Sequence, residues 1–241
     1  MLLLVFRPKF DFATGYTYIW AGVVAEYAKR KGFSVIDVGG ESATLDNFTT
    51  ALSQNPDLVM IATHGATNRV VGQGFSDFLV SCQNDGMLKS RSVYVFACLS
   101  GQQLGKTMFD KGANFVIGYL PEFMWNVNPQ YPPEQDPLAL PFAEVAVEPM
   151  LAMIDGLSPK AIYDRTMKKY DEEFSKLSHD PSPDAAMAMN SLSNDRNGLI
   201  VYAPSGALAA ARPSPLLLLA LGGLGLGAFA LSRKRGGKSG A

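Results

Sequence analysis

The sequence predicts an α/β domain in three layers, with helices on both faces of a mostly parallel sheet. Two apolar runs, over 58–62 and 92–97, have the continuous apolar character of strands that are buried on both faces. Segments with apolar residues at helical spacing, such as Ile19, Val23 and Tyr27, alternate with such runs. This alternation is typical of βαβ units, which place parallel strands side by side.

Each predicted element in the first half of the chain has a boundary signal. In chain order, a strand covers 2–6, a helix covers 16–31 and stops at Gly32, a strand covers 33–38 and stops at Gly39-Gly40, a helix covers 45–53 and stops at Asn55-Pro56, and a strand covers 58–62 and stops at His64-Gly65. The first run lacks a basic flank and a small-residue cleavage site, so it is interpreted as a strand and not as a signal peptide. A further short helix is predicted over 75–82, which would bury Cys82 in the core.

The second half continues the alternation. In chain order, strands are predicted over 92–97, 114–120 and 199–202, and helices over 103–111, 141–154, 159–177 and 184–194. Residues 121–141 contain six prolines and little periodicity, and so long a loop is commonly functional. We expect it to line a substrate site. The α/β domain is therefore predicted to cover residues 1–205.

Composition excludes some classes of protein. The chain has 241 residues, of which 47% are hydrophobic and 18% charged, and this is enough for one sizeable core. Four of its 21 basic residues lie in the last nine positions, and the remainder of the chain is acidic. Such a balance does not favour a nucleic-acid-binding surface. Two cysteines are too few for a disulfide framework and suit a reducing compartment.

The C-terminal region predicts a membrane anchor. Residues 216–232 carry no charge and are followed at once by basic residues, and about 17 residues is the short limit for a membrane span. The predicted order is an Ala/Pro-rich linker over 206–215, a transmembrane helix over 216–232 and a basic tail over 233–241. The positive-inside rule would place the body outside the cytosol. Because no export signal precedes the body, we expect a single-pass C-terminal anchor with the body in the cytosol.

The chain has two histidines and two cysteines, and one of each follows a predicted strand. His64 follows the strand over 58–62, and Cys98 follows the strand over 92–97. Ligands bind at the carboxyl ends of parallel strands, so an imidazole and a thiol would meet at the reactive edge of the sheet. That pair is typical of a cysteine nucleophile and its base. The amides of Gly65 and Cys98 would then form an oxyanion hole.

The order of these motifs resembles the caspase-like (clan CD) cysteine peptidases, in particular their gingipain-type and CHAT-type branches. The likeness rests on three segments: His64-Gly65 after a strand, Ala97-Cys98 followed by Gly101, and Gly112-Ala113-Asn114-Phe115-Val116-Ile117-Gly118. The terminal strand over 199–204 also resembles these domains, except that Ala203 departs from their common Gly-Asp-Pro.

The resemblance implies a Cys98–His64 dyad that cleaves a peptide or protein substrate without a metal or other cofactor. It also implies a charged P1 residue, the substrate residue on the N-terminal side of the cleaved bond. Asp11, Arg69 and Glu122 are candidates to bind it, but their opposite signs leave the P1 charge open. Trp125 is a candidate for an apolar pocket wall or for an exposed loop anchor.

Two other functions compete with this hypothesis. The same fold could serve at a membrane as an interaction module in which Cys98 and His64 are inactive, because fold does not fix function. The segment from Gly101 to Thr107 approaches a phosphate-binding loop. However, it has three residues between its glycines where that motif needs four, and it follows the fourth strand. A nucleotide hydrolase is therefore not favoured.

Overall fold

A computed structural model describes residues 1–209 of the chain. The strands are β1 (Leu2–Arg7), β2 (Ser34–Gly39), β3 (Leu58–Ala62), β4 (Gly65–Ala66), β5 (Arg69–Val71), β6 (Asp77–Val80), β7 (Ser92–Phe96), β8 (Phe115–Tyr119), β9 (Leu199–Ala203) and β10 (Gly206–Ala209). The helices are α1 (Phe12–Arg30), α2 (Leu45–Leu52), α3 (Gln103–Asp110), α4 (Leu140–Ile154), α5 (Pro159–Ser178) and α6 (Pro183–Gly198).

A seven-stranded sheet in the order β10-β9-β8-β7-β3-β1-β2 forms the centre of the fold. All neighbours from β2 to β8 are parallel, and β9 and β10 complete one edge with antiparallel pairing. The predicted α/β class with a mostly parallel sheet is thus confirmed. In the register of β3 and β7, Ala62 pairs with Phe96. The chain therefore leaves both strands at the same edge, and His64 and Cys98 each follow two residues later.

Side chains of the sheet alternate between two cores. Leu3 and Val5 belong to the core that the sheet shares with α1, α4, α5 and α6, whereas Leu4 and Phe6 belong to the core beneath α2 and α3. Both cores are built from side chains with almost no solvent exposure. The result is the predicted three layers, and it explains why the strands have continuous apolar sequences.

The predicted helix over 75–82 is wrong. Residues 77–80 form β6, which pairs with β5 in a small antiparallel sheet of β4, β5 and β6. A short apolar run does not distinguish a strand from a helix, and here the ring of Phe78 stacks on that of Phe6 at 3.9 Å. Cys82 follows the strand in a left-handed conformation with φ 63° and is exposed, so its predicted burial is also wrong.

Several boundaries differ from the sequence prediction; helix α6, for example, ends at Gly198 and not at residue 194. Helix α1 begins at Phe12, four residues before the predicted start, because Asp11 and Thr14 form a capping box. Residues 206–209, predicted as linker, form β10 and cover the free edge of β9 after a turn at Pro204-Ser205.

The prediction of a membrane-anchored protein is corrected. No helix within residues 1–209 combines the length and the apolar character that a bilayer crossing requires. The two longest helices of this range, α1 and α5, both carry charged side chains. The remainder of the predicted linker, the helix predicted over 216–232 and the basic tail over 233–241 lie outside the described residues.

Candidate active site

Hydrogen bonds to two neighbouring strands fix the backbone that carries His64. The amide of Thr63 donates to the carbonyl of Phe96 at 3.2 Å, which extends the pairing of β3 with β7 by one residue. The Thr63 hydroxyl donates to the carbonyl of Val71 at 2.8 Å, and the Val71 amide donates to the carbonyl of His64 at 3.2 Å. His64 is therefore held between the main sheet and the small sheet.

The imidazole ring of His64 has a carboxylate partner and two aromatic neighbours. Its Nε2 lies 2.7 Å from Oδ2 of Asp11. The ring stacks on Phe75 with 5.5 Å between centroids and packs against Phe10 at 5.9 Å. These three contacts restrict both the position and the rotation of the imidazole.

Asp11 is placed by the start of helix α1. Its Oδ1 accepts hydrogen bonds from the amide of Thr14 at 2.8 Å and from the hydroxyl of Thr14 at 2.7 Å, as an N-cap residue does. Partial burial opposes its ionisation, but these hydrogen bonds and the contact with His64 lower the pKa of Asp11 below its ordinary value. Because an ionised carboxylate can only accept, the contact with Asp11 is a hydrogen bond when Nε2 of His64 carries a proton.

A tight turn after β7 positions Cys98. The amide of Leu99 donates to the carbonyl of Pro121 at 3.0 Å, and the amide of Gly101 donates to that of Tyr119 at 2.9 Å. The buried hydroxyl of Ser100 donates to the carbonyls of Val95 and Ala97 at 2.9 and 2.8 Å. The turn is thereby tied to β7 and to the end of β8.

The Cys98 thiol is largely shielded from solvent. Its Sγ lies 3.9 Å from the carbonyl oxygen of Phe123. Burial raises the pKa of this thiol above its ordinary value, and the negative charge of Glu122 acts in the same direction. In this arrangement the thiol is protonated at neutral pH.

His64 and Cys98 line one cavity of about 290 Å³ at the carboxyl edge of the sheet. The lining residues come from the start of α1, the ends of β3 and β7 and the loop after β8: Ala13, Thr14, Thr17, Thr63, His64, Phe96, Ala97, Cys98, Phe123 and Trp125. The structure thus brings together the two residues that the sequence singled out.

Gly65 occupies a position that has no room for a side chain. A Cβ atom there would lie 2.4 Å from the carbonyl oxygen of Cys98 and 2.9 Å from Cβ of Ala97. Next to the β4–β5 ladder, His64 faces Val71, and the Val71 amide donates a hydrogen bond to the His64 carbonyl. Gly65 and Val70 form the next pair along the ladder. In an antiparallel ladder such a pair turns its N–H groups away from the partner strand, so the Gly65 amide points away from β5.

The other predicted binding residues occupy different surroundings. Trp125 lines the same cavity and packs edge-on against Trp20 at 5.7 Å. Glu122 is exposed and is not part of the cavity wall. Arg69 is ion-paired with Asp77 at 2.9 Å and lines a separate groove with His64 and Phe75.

Several functional features could not be read from the sequence. The Asp11–His64 contact and the contacts of α6 with the loop after β8 join residues that are far apart in the chain, and the stacking of Phe75 on His64 depends on how the intervening small sheet folds. One local signal was present: Asp11 and Thr14 have capping-box spacing and mark the start of α1.

The segment that approached a phosphate-binding loop has a structural role. A Cβ atom at Gly101 would lie 2.4 Å from Ile200, and one at Gly105 would lie 2.8 Å from the carbonyl oxygen of Ser100. Lys106 is exposed on α3 and pairs with Asp110 at 2.6 Å. The glycines therefore allow close packing of the turn after β7 against its neighbours.

Comparison with known proteins supports the fold. Neither a protein-family model nor a curated protein matches the sequence. Among solved structures, the chain is similar to gingipain R (RgpB), described as an Arg-specific cysteine proteinase, with a TM-score of 0.55 and 14% identity over 86% of this chain and 47% of that one. A complex of the pro- and mature domains of RgpB from Porphyromonas gingivalis gives a TM-score of 0.50 and 12% identity over 78% of this chain and 45% of that one.

This chain thus spans about half the length of the solved structures that it matches. A likeness at this level of identity establishes the fold, and the chain has the caspase-like α/β fold that gingipain also has. The narrower assignment to a gingipain-type or CHAT-type branch stays a prediction.

Proposed function

We propose that this chain is a cysteine endopeptidase in which Cys98 is the nucleophile and His64 the general base. The observation that carries the proposal is that both side chains line one cavity at the carboxyl edge of neighbouring parallel strands. The similarity of the fold to a cysteine proteinase supports it.

Proton transfer would run from Sγ of Cys98 to Nδ1 of His64. Nε2 of His64 is engaged with Asp11 at 2.7 Å, so Nδ1 is the nitrogen available to accept the proton. The Asp11 carboxylate then stabilises the imidazolium that forms. Because burial raises the pKa of the Cys98 thiol, the proton leaves as the thiol attacks, and the resting site holds no preformed thiolate.

Bond cleavage follows in two stages. Sγ of Cys98 bonds to the carbonyl carbon of the substrate, and the resulting oxyanion accepts hydrogen bonds from the amides of Gly65 and Cys98. His64 returns its proton to the nitrogen of the leaving amine, and a thioester remains on Cys98. Water then gives a proton to His64 and attacks the thioester, and the proton returns to Sγ as the acid product leaves.

Asp11 acts in this scheme as a positioning residue and does not bind the P1 side chain. Its Oδ1 is bonded to the amide and the hydroxyl of Thr14, and its Oδ2 is bonded to His64. Both oxygens are therefore occupied by contacts that hold the imidazole in place.

The competing function is a caspase-like module that binds a partner without catalysis. The raised pKa of the Cys98 thiol favours this alternative, since an inactive site needs no thiolate. Reaction with a peptidyl electrophile separates the two functions, because such a probe depends on both the nucleophile and the oxyanion site.

The test is labelling of the protein by peptidyl acyloxymethyl ketones that carry Arg, Lys, Asp or Leu at P1. We expect labelling of the wild type, its loss in Cys98→Ala and its strong reduction in His64→Ala. Cys82→Ala is the matched control, because Cys82 is the other cysteine and is exposed, and its replacement should leave the labelling unchanged. Labelling that survives in Cys98→Ala, or no labelling with any probe, would refute the peptidase and favour the interaction module.

A further inference from the structure

The cavity beside Cys98 has an uncharged wall. Apart from His64 and Cys98, the described residues that line it are alanines, threonines, phenylalanines and one tryptophan. The two threonines nearest the start of α1 make local bonds: Thr14 donates its hydroxyl to Asp11 at 2.7 Å, and Thr17 lies 3.4 Å from the carbonyl of Thr14. The interior of the cavity is therefore apolar, with a few neutral hydroxyl groups.

Three charged residues near the site lie outside the cavity wall. Both oxygens of Asp11 are occupied by Thr14 and His64. Arg69 pairs with Asp77 in a separate groove, and Glu122 is exposed outside the cavity wall. Within the described part of the chain, none of these three side chains lines the cavity.

The position of the cavity suits a side chain of a bound peptide. The cavity lies at the carboxyl edge of the sheet, and its space of about 290 Å³ is in part open to solvent. Because Cys98 forms part of its wall, a peptide whose carbonyl carbon lies at Sγ would direct its P1 side chain here.

The walls of the cavity are fixed by packing and by helix α6. Phe123 packs edge-on against Phe96 at 4.8 Å between centroids. The side chain of Asn194 donates to the carbonyl of Glu122 at 2.8 Å, and Oδ1 of Asp195 accepts from the amide of Met124 at 2.9 Å. Hydrogen bonds thus hold the residues on both sides of Phe123, so the pocket is formed before a ligand enters.

An apolar groove continues from this wall. Phe123 and Trp125 also line a wide, shallow groove with Phe12, Met124, Val127 and Ser191. Phe12 is 60% exposed, so its ring is accessible to a ligand in this groove. The groove offers a second apolar contact to a peptide whose P1 residue occupies the cavity.

Resting on the proposed peptidase function, we propose that the cavity of Cys98, Phe123 and Trp125 is the P1 pocket and that it selects an uncharged apolar residue such as Leu, Met or Phe. An apolar side chain would gain from its removal from water. A Lys, Arg or Asp side chain would lose its hydration without gaining a partner of opposite charge. This specificity differs from the charged P1 that the sequence resemblance implies.

The experiment compares the rate of labelling by acyloxymethyl ketones that differ only at P1. We expect Leu, Met or Phe to exceed Arg, Lys and Asp by at least about tenfold in wild-type protein. In Thr17→Asp a carboxylate faces the cavity, so labelling by Arg and Lys should rise relative to Leu. Thr17→Asn has nearly the same shape without the charge and should keep the apolar preference; thermal melting of both variants checks that they fold.

The outcomes separate this inference from the peptidase proposal. Labelling that requires Cys98 but favours Arg, Lys or Asp, or that ignores P1, would overturn the pocket assignment and leave the peptidase standing. No labelling that depends on Cys98 with any of the probes would overturn both. An apolar preference in the wild type, together with a shift towards Arg and Lys in Thr17→Asp, would support the pocket.

Discussion

Oδ2 of Asp11 lies 2.7 Å from Nε2 of His64, and the same carboxylate caps the first helix through Thr14. One side chain thus joins the start of α1, which follows β1, to the end of β3. Because β1 and β3 are neighbours in the sheet, the contact spans 53 positions of sequence but only one strand spacing. The orientation of the proposed base therefore depends on the packing of the first helix.

Replacing Asp11 by Asn should separate capping from catalysis. Asn is as good an N-cap residue as Asp, so the thermal stability should change little. The negative charge that stabilises the imidazolium of His64 is lost, so the rate of labelling by an apolar peptidyl ketone should fall by at least about tenfold. Asp110→Asn, which removes only an exposed ion pair with Lys106, is the control. An unchanged rate in Asp11→Asn would exclude a positioning role.

Which of the two cysteines reacts faster should depend on the type of reagent. Burial raises the pKa of the Cys98 thiol, whereas Cys82 is exposed. With a small alkylating agent at neutral pH, Cys82 should react faster, and the rate at Cys98 should keep rising as the pH exceeds the ordinary thiol pKa. With a peptidyl ketone, Cys98 should react and Cys82 should not. Mass spectrometry of the labelled peptides measures both rates, and a fast reaction of Cys98 with the small reagent would contradict its raised pKa.

Gly65 should not tolerate a side chain. In Gly65→Ala the new Cβ would meet the carbonyl oxygen of Cys98 at 2.4 Å, so the turns after β3 and β7 must separate. We expect a loss of stability of about 1–3 kcal/mol and the loss of labelling at Cys98. Gly15→Ala is the matched control, because a Cβ at Gly15 in α1 meets no described residue within 4 Å and Ala favours a helix. Labelling of Gly65→Ala at the wild-type rate would refute the proposed oxyanion site.

The buried carboxyl of Asp195 should make stability depend on pH. Burial raises its pKa well above the ordinary value, and its Oδ2 has no hydrogen-bond partner within residues 1–209. A raised pKa in the folded state means that the stabilisation is complete at low pH and is lost as the pH rises towards the folded-state pKa. The melting temperature of Asp195→Asn relative to wild type should therefore be higher at about pH 8 than at about pH 5. Equal differences at both pH values would contradict the raised pKa.

The strand ends of the site could be predicted because their signals are local. Leu58–Ala62 and Ser92–Phe96 are apolar runs that stop at polar or small residues, and parallel strands that are neighbours must end at the same edge. The position of His64 relative to Cys98 then follows from the register of β3 and β7.

The remainder of the site could not be predicted because it depends on distant contacts. Asp11 could be singled out as a charged residue after β1, but only the packing of α1 directs its carboxylate to His64. The three apolar residues of β6, Phe78, Leu79 and Val80, fit a helix or a strand, and the stacking of Phe78 on Phe6 decides between them. The predicted burial of Cys82 is wrong because it depends on the helix predicted over 75–82, whereas a left-handed turn after β6 exposes the side chain.

Phe75 offers a test in which two variants should differ in stability but lose activity equally. It stacks on His64 although its side chain is 61% exposed, and its backbone has φ 63°, a conformation that favours glycine. Phe75→Gly relieves the backbone and should melt at or above the temperature of Phe75→Ala. Both variants lose the ring that restricts His64, so labelling should slow in both by a similar factor, whereas Phe75→Tyr should keep the wild-type rate. If the Gly variant labels as fast as the wild type, the stacked ring does not orient the base; if it alone is slow, flexibility of the turn and not the ring is the cause.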